Sequence, residues 1–201
     1  MSRPAERWLE VAATLLLALA TVATAWAAYQ ARQWTGEQSQ AYSKGTAARI
    51  TENRTAALAD RQVQIDVATF IQWLDARAQH DEPLADFYRR RFRAEFQPAF
   101  NAWLASKERG TPFVLPQYKL AAQAQADDLE RTAAAASQRA KDANAHADNY
   151  MLAVVLCATT LFLVGISAKV ESGRAILLGI GGATFLGALI WIASLPVQLT
   201  T

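Results

Sequence analysis

The chain has 201 residues, of which 52% are hydrophobic and 19% charged, with 20 Lys and Arg against 18 Asp and Glu. Three long stretches, 11–30, 150–168 and 175–201, contain none of these charged residues. Such segregation predicts an integral membrane protein whose first partner is the lipid bilayer. The nearly balanced charge elsewhere gives no reason to expect nucleic acid as a partner, and the single cysteine, Cys157, excludes a disulfide within the chain.

The first apolar stretch is long enough to cross a hydrocarbon core of about 30 Å as a helix. Trp8 and Tyr29 lie at its two ends, where interfacial aromatic residues are typical. We predict a cytoplasmic stub and the first transmembrane helix over residues 1–29. The alternative is a cleaved signal peptide, because arginines precede the apolar run and residues 23–25 resemble a small-residue cleavage site.

A long helix A is predicted over residues 30–79, because no proline occurs between Pro4 and Pro83. Its far end is amphipathic, with apolar residues at helical spacing. These are Val63, Val67, Phe70, Ile71, Leu74 and Ala78.

Helix B is predicted over residues 83–107, with Pro83 in its first turn and Pro98 as the point where it should kink or split. One broad apolar and aromatic face recurs along it, formed by Leu84, Phe87, Tyr88, Phe92, Phe96, Phe100, Trp103 and Leu104. We expect this face to pack on helix A and on the following helix. The residues expected to be buried are Phe70, Leu74, Phe87, Phe96, Phe100 and Trp103.

Helix B also carries a basic cluster, Arg89, Arg90, Arg91 and Arg93. Guanidinium groups in a cluster can contact an anion or a lipid headgroup. The alternative is a solvated helix face on which these arginines pair with nearby carboxylates.

Helix C is predicted over residues 117–149 and continues into the second transmembrane helix, 150–168. Small residues recur along it at alternating spacings of four and three, which indicates a coiled-coil-like seam. The seam residues are Ala122, Ala126, Leu129, Ala133, Ala136, Ala140, Ala143 and Ala147. Helix A has a partial counterpart in Ala27, Ala31, Trp34, Ala41, Gly45 and Ala48. We predict that A and C form an antiparallel stalk, the alternative being a solvated helix of alanine-rich composition.

A turn over residues 169–174 and a third transmembrane helix with a short outer tail over 175–201 complete the chain. The turn contains Lys169 and Arg174, whereas the tail is uncharged. The positive-inside rule therefore predicts a cytoplasmic N-terminus and turn, with residues 30–149 and the C-terminus outside the cytoplasm. The inverted topology is the alternative, because Arg32 and Lys141 lie near the outer boundary.

The third transmembrane helix carries a ridge of small residues at four-residue spacing, Ala175, Gly179, Ala183 and Gly187. Small residues let helix backbones approach closely within a bilayer. The ridge is therefore a candidate helix-packing surface, although glycine is also simply common in such helices.

Residue patterns that carry catalysis or bind metals are missing from the sequence. The two histidines, His80 and His146, are far apart along predicted long helices, and there is no His-Glu-x-x-His motif. Proton-coupled transport usually depends on acidic, basic or histidine side chains within the membrane. The centres of the predicted spans contain none of these residues. We expect no catalytic residues, no metal and no cofactor.

Four segments resemble a family of uncharacterised bacterial three-span membrane proteins. They are 64–70 (Gln-Ile-Asp-Val-Ala-Thr-Phe), 86–88 (Asp-Phe-Tyr), 100–104 (Phe-Asn-Ala-Trp-Leu) and 148–150 (Asp-Asn-Tyr). The resemblance covers nearly the whole chain and implies a bacterial inner-membrane setting. It implies no activity and no site.

The sequence thus predicts an all-α integral membrane protein with three transmembrane helices and a long-helix hairpin domain between the first two. The expected function is a non-catalytic scaffold that self-associates or binds another membrane protein, because alanine seams bury little area and favour further helices. The alternative is a channel or small transporter of several copies. Its pore would be lined either by Thr14, Ala18, Thr21 and Ala25 or by Thr160 and Ser167.

Overall fold

The computed structural model describes residues 3–170 and 173–198, and the side chains from residue 7 onward. These residues form five α-helices and one short 3₁₀ turn, without a strand. The helices are α1 (Arg3–Ala78), α2 (Glu82–Arg89), α3 (Gln97–Ala105), α4 (Ala121–Ser167) and α5 (Arg174–Ser194), and the 3₁₀ turn is Pro112–Val114. The prediction of an all-helical chain is confirmed for this part. Predictions that fall on residues 1–2, 171–172 and 199–201, within the stub, the 169–174 turn and the outer tail, lie outside the described residues.

Helix α1 ends where the chain leaves helical geometry at His80, whose φ is +62°. The backbone N–H of Asp81 donates to the carbonyl of Ala76 over 3.0 Å, which closes the helix end. The Asp81 carboxylate then accepts from the backbone N–H of Leu84 over 3.0 Å and caps α2, with Pro83 in the first turn of that helix.

The segment predicted as helix B is two helices, α2 and α3, joined by residues 90–96. Pro98 lies in the first turn of α3, where its missing N–H costs no helical hydrogen bond. It therefore marks a helix start rather than a kink within one helix. The predicted start of helix C at residue 117 is also early, because α4 begins at Ala121.

Three helices, α1, α4 and α5, are long and apolar enough to cross a membrane. In the most apolar 18-residue segment of each of these helices, only 17%, 33% and 17%, respectively, is buried inside the chain. Most of this apolar surface therefore faces outward, which is compatible with a multi-pass membrane protein.

The chain divides into two compact units. Unit 1 comprises Met1–Ser43 with Ala136–Thr201, and unit 2 comprises Lys44–Ala135. Helices α1 and α4 each contribute residues to both.

In unit 1, α1 and α4 pack antiparallel, with α5 against both. Arg139 pairs with Glu37 over 2.6 Å, and the Gln38 side-chain amide donates to Asn144 over 2.8 Å. Further along, small buried residues from α1 and α4 meet α5 in two apolar clusters. These clusters contain Ala20, Cys157, Phe185 and Ala188, and Ala27, Ala31, Tyr150 and Ala153. The packing is close at Gly181, where a Cβ would meet Val164 Cγ2 at 3.0 Å, so that Val164 would have to shift by a few tenths of an ångström to accommodate it.

The segment after α5 is held to unit 1 by polar side chains. Gln30, fully buried, accepts from the backbone N–H of Gln198 over 2.9 Å. The carbonyl of Pro196 accepts from the Tyr150 hydroxyl and from the Trp34 indole N–H, each over 3.2 Å. Residues 196–198 therefore pack against α1 and α4.

Unit 2 has an aromatic core. Its buried members are Phe70, Trp73, Ala76, Ala85, Phe92, Phe96, Phe100 and Trp103. Phe96 is fully buried and its ring stacks on Phe113, with the ring centroids 5.2 Å apart. Two predictions for this core are wrong, since Leu74 and Phe87 are 38% and 40% exposed.

The reason for the first error is a rotation of the buried stripe on α1. Asp66, Phe70, Trp73 and Ala76 are the residues that α1 buries between residues 66 and 76. Ile71 and Leu74 lie to one side of this stripe and stay exposed. The buried stripe therefore includes a carboxylate, that of Asp66, which the apolar residues alone did not indicate.

Candidate interaction surfaces and a buried ion-pair network

The small-residue ridge of α5 is exposed at all four positions, Ala175, Gly179, Ala183 and Gly187. A Cβ added at either glycine of the ridge would meet no atom of the described chain within 4 Å. The residues that α5 buries within the chain are Gly181, Phe185 and Ala188. By helical geometry these three project from the opposite side of the helix. The ridge therefore lies on the face of α5 that is turned away from its contacts within the described chain.

The seam of α4 is buried along nearly its whole length. In unit 2, Ala122, Ala126 and Ala133 are buried and Leu129 is half-buried, and Ala122 packs in a cluster with Ala59 and Leu120. In unit 1, Ala136, Ala140, Ala143 and Ala147 are buried. The counterpart residues on α1 are buried too, except for Trp34, which is half-buried. The seam thus faces protein in each unit rather than solvent.

The four arginines of the basic cluster do different things. Arg93 is mostly buried and pairs with Asp66 over 2.8 Å and with Glu95. Arg91 lies over the Phe87 ring at 3.6 Å from its centroid. Arg89 and Arg90 both line a groove beside α2 and α3. The cluster is therefore neither one anion site nor one solvated face.

Asp66 is the centre of a buried polar network that the sequence patterns did not reveal. Its side chain is completely buried, and Oδ2 accepts from the Arg93 guanidinium over 2.8 Å and from the Tyr118 hydroxyl over 3.0 Å. Within the described chain, Oδ1 has no hydrogen-bond partner. Burial raises the pKa of the Asp66 carboxyl, while Tyr118 and Arg93 act in the opposite direction. Burial and the neighbouring carboxylate also raise the pKa of Tyr118.

Glu95 extends this network to the start of α4. One carboxylate oxygen pairs with Arg93, and the other accepts from the backbone N–H of Ala121 over 3.0 Å. A carboxylate at a helix N-terminus satisfies a free N–H and interacts favourably with the helix dipole. The chain of contacts from Asp66 through Arg93 and Glu95 to Ala121 therefore joins α1, the α2–α3 connection and α4. One feature of the sequence could have indicated that Asp66 is buried. Asp66 lies four positions before Phe70 and seven before Trp73, a helical spacing that places it on the same face as these aromatic residues.

The two histidines lie at a helix end and against an aromatic ring, and the hydroxyl groups of Thr160 and Ser167 bond to the backbone. His80 lies at the left-handed end of α1, and the His146 ring contacts Trp34 at a centroid distance of 4.5 Å. Among the described residues, no group of three His, Cys, Asp or Glu side chains could hold a metal ion. Thr160 and Ser167 are buried and bonded to backbone carbonyls of α4.

No protein-family model, curated protein or solved structure gives a significant match to this chain.

Proposed function

We propose that this protein is a non-catalytic multi-pass membrane scaffold that self-associates, or binds another membrane protein, through α5. The observation that carries the proposal is the exposed ridge of Ala175, Gly179, Ala183 and Gly187. Helix α5 packs inside the chain through its other face, so the ridge is left for a different partner.

The physical basis is the close approach that small residues permit. Between lipid-facing helices there is little hydrophobic driving force, and association depends on van der Waals packing of closely apposed backbones. Leu186 and Ile190, which are 61% and 73% exposed, lie along the same side of α5 and would extend the contact. A ridge of glycine and alanine flanked by larger apolar side chains suits a second helix better than it suits lipid chains alone.

The test is the mass of the detergent-solubilised complex, measured by light scattering, for the wild type and for the double variant Gly179→Leu/Gly187→Leu. We expect an oligomer or a complex with a co-purifying membrane protein, and we expect the double variant to reduce it to a monomer. Gly165→Leu is the matched control, since Gly165 is an exposed glycine of α4 with no described atom within 4 Å of an added Cβ. This control should keep the wild-type mass.

Two outcomes would overturn the proposal. One is a wild-type monomer with no co-purifying protein. The other is a ring-shaped oligomer that conducts ions in liposomes, which would favour the channel alternative. Since Thr160 and Ser167 are buried, such a pore would have to use the Thr14 and Thr21 face of α1, where both threonines are exposed.

We further propose a bacterial inner-membrane location with the N-terminus in the cytoplasm and residues 30–149 outside it. Glu10 and Arg174 lie 3.8 Å apart, which is consistent with the start of α1 and the start of α5 lying at the same membrane face. The basic residues near this end favour the cytoplasmic side. Reporter fusions after Ser106 and after Thr201 should be active only with an exported enzyme. Cytoplasmic reporter activity at both positions would overturn this topology.

A further inference from the structure

A groove beside α2 and α3 in unit 2 combines charged, amide and aromatic groups. Its volume is about 340 Å³, within the size range of small-molecule sites. It is lined by Asp86, Arg89, Arg90, Gln97, Phe100 and Asn101, and the buried Phe92 completes it.

The two arginines of the groove, Arg89 and Arg90, have no ion-pair partner in the described chain. No carboxylate of the described chain lies within 4.0 Å of Arg89 or Arg90, whereas Arg77 pairs with Glu82, and Arg93 pairs with both Asp66 and Glu95. Arg89 lies over the Phe100 ring, 5.8 Å from its centroid. Arg89 and Arg90 are consecutive residues that line the same groove, so an anion bound there would interact favourably with both positive charges.

The remaining groups limit what that anion can be. Asp86 contributes a carboxylate without an ion-pair partner in the described chain, so it would oppose a plain anion and attract a cation or a hydroxyl donor. A tetrahedral phosphate can accept hydrogen bonds from two guanidinium groups in different directions.

We propose that this groove binds a phosphorylated amine, with the phosphate held by Arg89 and Arg90 and the ammonium group held by Asp86. The amides of Gln97 and Asn101 supply further polar contacts to the same ligand. Such chemistry occurs in free phosphoryl amines and in aminophospholipid headgroups. The assignment goes beyond the scaffold proposal and does not depend on self-association.

The experiment is isothermal titration of the full-length chain in detergent with O-phosphoethanolamine, with inorganic phosphate and with dihexanoyl-phosphatidylethanolamine below its micellar concentration. We expect saturable binding of O-phosphoethanolamine or the short-chain lipid, tighter than that of inorganic phosphate. Tighter binding of O-phosphoethanolamine would identify the ligand as a free compound, and tighter binding of the short-chain lipid would identify it as a lipid headgroup. No saturable binding of either at millimolar concentration would overturn the proposal.

The variants separate the two halves of the ligand. Arg90→Gln should weaken O-phosphoethanolamine binding about tenfold or more, as expected for the loss of a charge-assisted hydrogen bond. Arg91→Gln is the matched control, because Arg91 lies over Phe87 outside the groove, and it should change affinity less than about twofold. Equal losses for these two variants would show non-specific attraction and would overturn the proposal.

Asp86→Asn tests the ammonium contact. It should weaken O-phosphoethanolamine binding but leave inorganic phosphate binding unchanged or stronger, because it removes a negative charge from the groove. Stronger binding of both ligands would overturn the assignment of Asp86. The three substituted residues, Asp86, Arg90 and Arg91, are exposed, so the variants should keep the fold. Unchanged hydrogen exchange in the aromatic core would show this.

Discussion

Removing Arg93 should destabilise unit 2 far more than neutralising Asp66, although the two side chains form one ion pair. In Arg93→Met the Asp66 carboxylate stays completely buried and keeps only the Tyr118 hydroxyl as donor. Breaking a buried pair in this way costs about 3–5 kcal/mol. In Asp66→Asn the buried group is neutral, and Arg93 keeps Glu95 and is 23% exposed. We expect a loss of only about 1 kcal/mol in that variant.

The dependence on pH follows from the same geometry. Burial raises the pKa of Asp66 in the folded protein above its ordinary value of 3.8. The folded state therefore binds the proton more tightly than the unfolded state, and stability should fall as pH rises from about 4 through the raised pKa. Arg93→Met should raise this pKa further, so acidification should recover much of its lost stability. Asp66→Asn should lack this pH dependence, and the double variant should be close to Asp66→Asn alone.

Hydrogen exchange followed by mass spectrometry on the full chain in detergent measures the local opening free energy of unit 2. A loss of about 3–5 kcal/mol corresponds to exchange of the core amides faster by roughly two to three and a half powers of ten. Losses of equal size in the two single variants would refute the reasoning. Additive losses in the double variant, or a loss in Arg93→Met that does not change with pH, would refute it too.

Three further predictions concern the aromatic core, the segment after α3 and the segment after α5. Phe96→Ala should destabilise unit 2 by about 3–5 kcal/mol, because its ring is fully buried, whereas Phe87→Ala should cost less than about 1 kcal/mol; equal shifts in hydrogen exchange would contradict this. Lys107→Gly should slow exchange in the segment after α3, since Lys107 has a φ of +61° and left-handed geometry costs a non-glycine residue about 1 kcal/mol, and faster exchange would argue against strain there. Gln30→Leu removes the acceptor for Gln198 N–H and should make the segment after α5 more sensitive to protease, so an unchanged cleavage rate would show that the contact is dispensable.

Much of the helix layout could be predicted from sequence because it depends on local signals. The missing prolines between Pro4 and Pro83 allowed one continuous helix, and α1 does end at Ala78. Three uncharged stretches were enough to locate the helices that can cross a membrane. The alternating spacing of small residues on α4 likewise selected positions that are buried, with Leu129 only half-buried.

The side-chain network was out of reach because it depends on non-local partners. Hydrophobic periodicity considers apolar residues only, so it could not include Asp66 in the buried stripe of α1. Without Asp66, the pattern placed Leu74 on the buried face. Asp66 is buried because Arg93 and Tyr118, 27 and 52 residues away, hold its carboxylate. The different roles of Arg90 and Arg93 also follow from the break between α2 and α3, which turns one side chain inward and leaves the other at the surface.

The contact between Glu95 and Ala121 has a consequence for the order in which unit 2 folds. Helix α4 has no acidic residue in its own first turn, and its cap comes from a residue 26 positions earlier. The Glu95 contribution to the first turn of α4 therefore arises only after the α2–α3 connection has docked, which makes the capping of this helix a late and non-local event in folding. When the aromatic core opens, Glu95 leaves with it, and the start of α4 should unravel in the same cooperative event rather than fray independently.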